Sequence, residues 1–194
     1  MKSSCTCFSI FLLLSLFSVN QSVYSQSFKK GDIDANFSIG YGTPWVFRGG
    51  YSTVLPPIGI SVDVGISDSL GPGALSMGGH IVALTYDDIA EDVFANDEYG
   101  RKGTFVGLAI RGTYHYQLAE EIDTYANLHL GAGYESWERY GTIPENTTVS
   151  VESKIRPIIG LGVGAKYYFA DNLCVLVELG YGTAFIKAGI GLKL

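Results

Sequence analysis

Asn172-Leu173-Cys174-Val175-Leu176-Val177-Glu178-Leu179-Gly180-Tyr181-Gly182-Thr183-Ala184-Phe185-Ile186-Lys187-Ala188-Gly189-Ile190-Gly191-Leu192-Lys193-Leu194 is the stretch that decides the fold. Leu173, Val175, Val177, Leu179 and Tyr181 alternate with Asn172, Cys174, Leu176, Glu178 and Gly180. Past Gly182-Thr183, Ile186, Ala188, Ile190, Leu192 and Leu194 alternate with Phe185, Lys187, Gly189, Gly191 and Lys193. A period of two with one apolar face is the signature of a strand, and two such runs meeting at a Gly-containing turn form an antiparallel hairpin. The other face is the informative one, because Glu178 and Lys187 share it with glycines.

The same alternation recurs upstream. Ile159, Leu161, Val163, Ala165, Tyr167 and Phe169 stand against Gly160, Gly162, Gly164, Lys166 and Tyr168, and Ala126, Leu128, Leu130, Ala132 and Tyr134 against Asn127, His129, Gly131 and Gly133. Val106, Leu108, Ile110, Tyr114 and Tyr116 face away from Gly107, Ala109, Arg111, Thr113 and His115. Ile58, Ile60, Val62, Val64 and Ile66 face away from Gly59, Ser61, Asp63 and Gly65, and Phe37, Ile39 and Tyr41 open a first strand. Residues 74–86 are strand-like, but Gly78-Gly79 blurs their parity and leaves their faces unassigned. The expectation is an all-β, closed, eight-stranded antiparallel transmembrane barrel. No segment after the N-terminal region has an apolar run long enough for a spanning helix, and a closed barrel is the other way to satisfy every backbone group in a bilayer.

Composition agrees. The 194 residues are 47% hydrophobic but only 16% charged, against roughly 25% charged in ordinary soluble domains, and 25 are glycine and 13 tyrosine. Lys2, the apolar run Phe8–Phe17 and the polar stretch ending Val23-Tyr24-Ser25 have the layout of a secretory signal peptide. The expected organisation is therefore a signal peptide over residues 1–25 and a barrel domain over 26–194. A membrane anchor is the rival reading of the first residues, but a run of about ten falls short of the roughly 20 that a spanning helix needs. Without residues 1–25, Cys174 is the one cysteine, so no internal disulfide forms. Twelve bases then face nineteen acids, a net charge of −7 that argues against a nucleic-acid partner.

Connection lengths set an orientation. Ser67–Gly71, Ala119–Ile122 and Ala170-Asp171 are short; Thr43–Leu55, Asp87–Lys102 and Ser136–Ile155 are long. Outer-membrane barrels keep short turns on the periplasmic side and long loops outside, which places these three loops in the environment. Tyr41, Tyr134 and Tyr181 end strands at one rim, and Tyr114, Tyr116, Tyr167 and Phe169 at the other, as two interfacial belts require.

Pro56-Pro57-Ile58-Gly59-Ile60-Ser61-Val62-Asp63-Val64-Gly65-Ile66-Ser67-Asp68 resembles the second strand of small bacterial outer membrane beta-barrel proteins of the OmpX-like and OmpW-like kind. Gly112-Thr113-Tyr114-His115-Tyr116, Gly164-Ala165-Lys166-Tyr167-Tyr168-Phe169 and Gly180-Tyr181-Gly182 are similar to further stretches of that family. The resemblance implies residence in the bacterial outer membrane, with its lipid and lipopolysaccharide and the barrel-assembly machinery as partners, and it implies no particular activity. Members commonly end in Phe; this chain ends in Leu194.

The residues that could carry chemistry lie on the polar face. Asp63, Arg111, His129, Lys166, Glu178 and Lys187 point into a lumen only just wide enough for side chains, so Arg111, Lys166 and Lys187 are expected to neutralise Asp63 and Glu178 as a plug. The function expected is structural or surface-interaction, with a narrow porin-like channel for ions or small solutes as the alternative. No enzyme and no cofactor are expected. The His-x-Ser dyad of lipid-A deacylases is missing, since Val82, Gln117 and Gly131 follow His80, His115 and His129 at that spacing. Asp87-Asp88, Glu91-Asp92 and Asp97-Glu98 make an acidic outer loop whose spacing fits no ordered Ca²⁺ loop, and Asn146-Thr147-Thr148 matches a glycosylation acceptor by coincidence. A lipocalin-like carrier needs an apolar lumen under a polar exterior, the reverse of this pattern.

Overall fold

The computed structural model describes residues 28–92, 97–141 and 151–194. The expected signal peptide and the Asn146-Thr147-Thr148 sequon lie outside the described residues. Eight strands follow in order: β1 (Ile33–Tyr41), β2 (Ser52–Leu70), β3 (Gly73–Asp92), β4 (Asp97–Ala119), β5 (Ile122–Tyr140), β6 (Lys154–Tyr168), β7 (Leu173–Tyr181) and β8 (Ile186–Lys193). A short helix, α1 (Pro44–Gly49), lies between β1 and β2. Each strand pairs antiparallel with the next, and β1 pairs with β8 through registers such as Phe37↔Ile190 and Ile39↔Ala188, so the sheet closes. Past β8, Leu194 continues that ladder, exchanging hydrogen bonds of 2.8 and 2.9 Å with Ile33.

The alternation sorts side chains between exterior and lumen. Leu108, Leu161, Val177 and Ile190 are 54–63% exposed on the outside, while Asp63, Lys166 and Glu178 are at most 3% exposed inside. An exterior this apolar is matched to hydrocarbon rather than to water. In β3, Ala74, Ser76, His80, Val82, Leu84 and Tyr86 point inward, and Met77 and Ile81 outward. Parity is unbroken through Gly78-Gly79. The pattern is illegible in sequence because two consecutive residues lack side chains and because Val82, Leu84 and Tyr86 make the inner face apolar as well.

That apolar inner face corrects a broader expectation. The lumen is polar mainly toward the chain termini. Toward the loops it is filled by Val46 of α1 with Val82, Leu84, Tyr86, Phe105, Trp137 and Ile158, and Tyr51 packs against this cluster.

Three expected long loops are shorter than they looked. Asp87–Lys102 is mostly ladder, with β3 and β4 paired from Asp87↔Lys102 out to Asp92↔Asp97. β2 begins at Ser52, β5 runs to Tyr140 and β6 begins at Lys154, so strand also claims the ends of the other two. Charge and polarity read as loop in the sequence, yet a ladder standing in water carries polar side chains on both faces. β2 to β6 therefore rise above the rest of the wall. β1 pairs with β2 only to Ile39↔Ile58, and β7 with β6 only to Leu161↔Tyr181, so 52–57 and 154–160 extend past those neighbours, with Pro56, Pro57 and Pro157 among them.

The face assignment has a direct check. Val177→Arg places a cation on the apolar exterior, where a charge near a bilayer midplane costs about 2–4 kcal/mol, and it should block stable insertion into lipid vesicles. Glu178→Gln, one residue along and facing inward, should still insert. Equal behaviour of the two variants would contradict the faces.

Candidate functional site

The polar half of the lumen draws side chains from all eight strands. Glu178 of β7 is its acceptor centre: Lys187 Nζ donates at 2.6 Å, Asn127 Nδ2 at 2.8 Å, Tyr125 Oη at 3.2 Å and Arg111 Nη2 at 3.4 Å. Lys187 stands opposite Glu178 in the β7–β8 register, while Asn127 and Tyr125 reach over from β5. They reach across β6 because β6 presents glycine there. A Cβ on Gly162 would lie 2.9 Å from Glu178 Oε1, and one on Gly164 would lie 2.5 Å from Tyr125 Cζ.

Arg111 of β4 ties this centre to the opposite wall. Its Nη1 donates to Ser61 Oγ at 2.8 Å and its Nε to Thr113 Oγ1 at 3.1 Å, with Nε 3.5 Å from Asp63 Oδ2. Asp63 is fully buried and faces Asp34 across the β1–β2 register.

Of the residues expected to act together, Arg111, Glu178 and Lys187 meet directly, and Asp63 meets Arg111. Lys166 is the correction. It bridges neither Asp63 nor Glu178; its Nζ donates to Asp34 Oδ2 across the lumen, and Asn36 Nδ2 donates to the same oxygen at 2.8 Å. The alternation evident from Phe37 onward does not reveal Asp34. Followed back two steps, it puts Asn36 and Asp34 on the inner face. His129 is buried beside His80, ring centroids 5.3 Å apart, and among the described residues neither bridges a carboxylate.

Below this network, His115 Nδ1 lies 2.7 Å from Asp123 Oδ2 and its Nε2 3.1 Å from Ser76 Oγ. A serine, histidine and aspartate in that order invite comparison with nucleophilic catalysis. The comparison fails on access. Ser76 is 0% exposed, its strand's backbone is engaged by β2 on one side and β4 on the other, and the Phe28 ring stacks on His115 at 4.3 Å. The arrangement is a structural hydrogen-bond chain.

At the loop end, Glu135 is fully buried and accepts from Arg156 at 2.6 and 3.0 Å and from Tyr86 Oη, with Lys154 Nζ 3.4 Å away. Arg101 pairs with Asp88 at 2.8 Å and lies over Trp137, 4.4 Å from the ring centre. The acidic residues expected in a loop therefore begin, at Asp87 and Asp88, as ladder partners of Lys102 and Arg101.

No protein-family model and no curated protein matches this chain in sequence. Among solved structures, it is similar to the N-terminal β-barrel domain of Pseudomonas aeruginosa OprF, with 14% identity, 85% of this chain and 98% of that one covered, and a TM-score of 0.49. The attachment invasion locus protein Ail of Yersinia pestis is similar at 14% identity, with 85% and 99% covered and a TM-score of 0.46. A de novo designed transmembrane β-barrel is similar at 18% identity, with 86% and 98% covered and a TM-score of 0.41.

The network makes a stability prediction. Arg111→Met strands Asp63 and weakens the hold on Glu178, and breaking one side of a buried pair costs about 3–5 kcal/mol. Lys102, on the exposed part of β4, belongs with surface pairs worth about 1 kcal/mol or less. Thermal unfolding of the detergent-solubilised barrel should show a clearly larger drop for Arg111→Met than for Lys102→Met. Equal shifts would mean that Arg111 does not hold a packed lumen.

Proposed function

We propose that this chain is a non-catalytic outer-membrane barrel of structural or surface-interaction type, exported by its N-terminal signal and placed in the bacterial outer membrane by the barrel-assembly machinery. Lipid and lipopolysaccharide contact its apolar wall. The raised β2–β6 wall and the segment around α1 face the environment and form its working surface; the extracellular partner is a component of that environment.

The observation that carries this reading is the filled lumen. A polar layer centred on Arg111 and Glu178, an apolar layer centred on Tyr86 and Phe105, and the Phe28 stopper lie in series along the axis. The space left between Asn36, His80, Arg111 and Glu178 is about 10 Å³, room for a single water rather than a path for ions. An eight-stranded barrel whose side chains fill it is a rod, and a rod in a membrane works at its ends.

Recording in planar bilayers tests it. The purified barrel should give no sustained conductance, and neither Glu178→Gln nor Lys166→Gln should produce a graded, selective current. A steady current in the wild type that changes with either substitution would make the protein a narrow channel.

A further inference from the structure

The mouth at the chain termini is closed by a strap, Phe28–Asp32, that turns under the barrel. Gly31 N donates to Gly65 O at 2.9 Å and Gly65 N to Asp32 O at 2.8 Å. Gly65 is required there, since a Cβ would sit 2.0 Å from the Lys29 carbonyl oxygen. The strap seats Phe28 at 5% exposure against His115, yet it does not fill the mouth. Beside the ring remains a cleft of about 150 Å³, walled by Phe28, Asp68, Pro72, His115, Gln117 and Asp123 among others.

The chemistry of this cleft is one-sided. Two carboxylates line it and no lysine or arginine does. Gln117 spends its amide nitrogen on Glu120 O at 3.0 Å, and its Oε1 is buried with no hydrogen-bond partner. Both nitrogens of His115 are taken, by Asp123 and by Ser76, so the ring has no donor to offer the cleft. Asp68, exposed at the rim, has no ion-pair partner among the described residues. Elsewhere in the barrel the buried carboxylates of Asp34, Glu135 and Glu178 each meet a Lys or Arg. Apart from Asp123 Oδ2, which takes His115 Nδ1, these acceptors have no donor in the cleft, and on an aromatic wall they call for a ligand that brings N–H groups and positive charge.

We propose that this cleft binds an organic cation, an ammonium or guanidinium group that donates to Asp68, Asp123 and Gln117 Oε1 while its apolar stem lies along Phe28. A bare metal ion fits less well, because no three His, Cys, Asp or Glu side chains converge to hold one among the described residues. The site lies at the opposite end from the raised wall and is independent of what that wall meets.

The test uses the full barrel in detergent micelles at constant ionic strength, titrated with n-butylammonium and, separately, with N-acetyl-lysine N-methylamide. Amide chemical shifts are followed by NMR. Saturable shifts should appear at 68–74 and 115–123, and Asp68→Asn and Gln117→Leu should each weaken binding about fivefold or more, the scale of losing one charge-assisted contact at a partly exposed site. Asp88→Asn, at the far end, should change nothing. Tighter binding of the capped lysine would point to a peptide-borne side chain, and tighter binding of the free amine to a small molecule. The proposal is overturned if the wild type shows no saturable shift or if Asp88→Asn weakens binding as much as Asp68→Asn. It is also overturned if CaCl₂ at equal concentration displaces the amine, which would make this a metal site.

Discussion

Closure of β1 on β8 is the constraint from which the rest of the structure follows. A sheet whose outside is this apolar cannot leave an edge unpaired, because a free backbone N–H or C=O in hydrocarbon costs several kcal/mol. Eight strands close into a cylinder with little interior volume. Whatever points inward must then pack against whatever points inward from the other side, and any charge there must find its counter-ion across the lumen rather than in water. Lys166 meeting Asp34, from strands three apart around the ring, is that requirement expressed in one bond.

The lumen solves the packing problem twice, with different chemistry. Toward the termini it uses ion pairs and amides, which fix geometry because each acceptor needs a donor in one place. Toward the loops it uses aromatic and aliphatic side chains, with Val46 arriving on a short helix to complete the layer. Glu135, at the loop end, serves both: it is fully buried, accepts from Tyr86 of the apolar layer and is held by Arg156, which reaches toward water.

Much of this is legible in the sequence, and the illegible parts have identifiable causes. Alternation names the outward residues of the seven strands that show it, because an apolar exterior on one side and a crowded lumen on the other leave no ambiguity between, for instance, Val177 and Glu178. It fails at Gly78-Gly79, where neither residue has a side chain to show its face. It also fails to announce the apolar layer, since an inner face of Val82, Leu84 and Tyr86 resembles an outer one. Asp34 and Asp123, partners of Lys166 and His115, sit at strand beginnings, where period-two patterns are shortest. The cleft beside Phe28 has no sequence signal, because it depends on a strap folding back beneath residues 68–74 and 115–123.

The three prolines on the raised parts of β2 and β6 have a consequence for how copies of this protein meet. Ser52–Pro57 and residues 154–160 run beyond the last pairs made by β1 and β7, which ordinarily turns a strand into a template for another chain. Proline has no N–H to offer such a template, and Pro56, Pro57 and Pro157 stand where that offer would be made. Lys154, half exposed, adds a charged side chain beside the third. The rim can therefore rise clear of its shorter neighbours without inviting strand exchange between barrels crowded side by side.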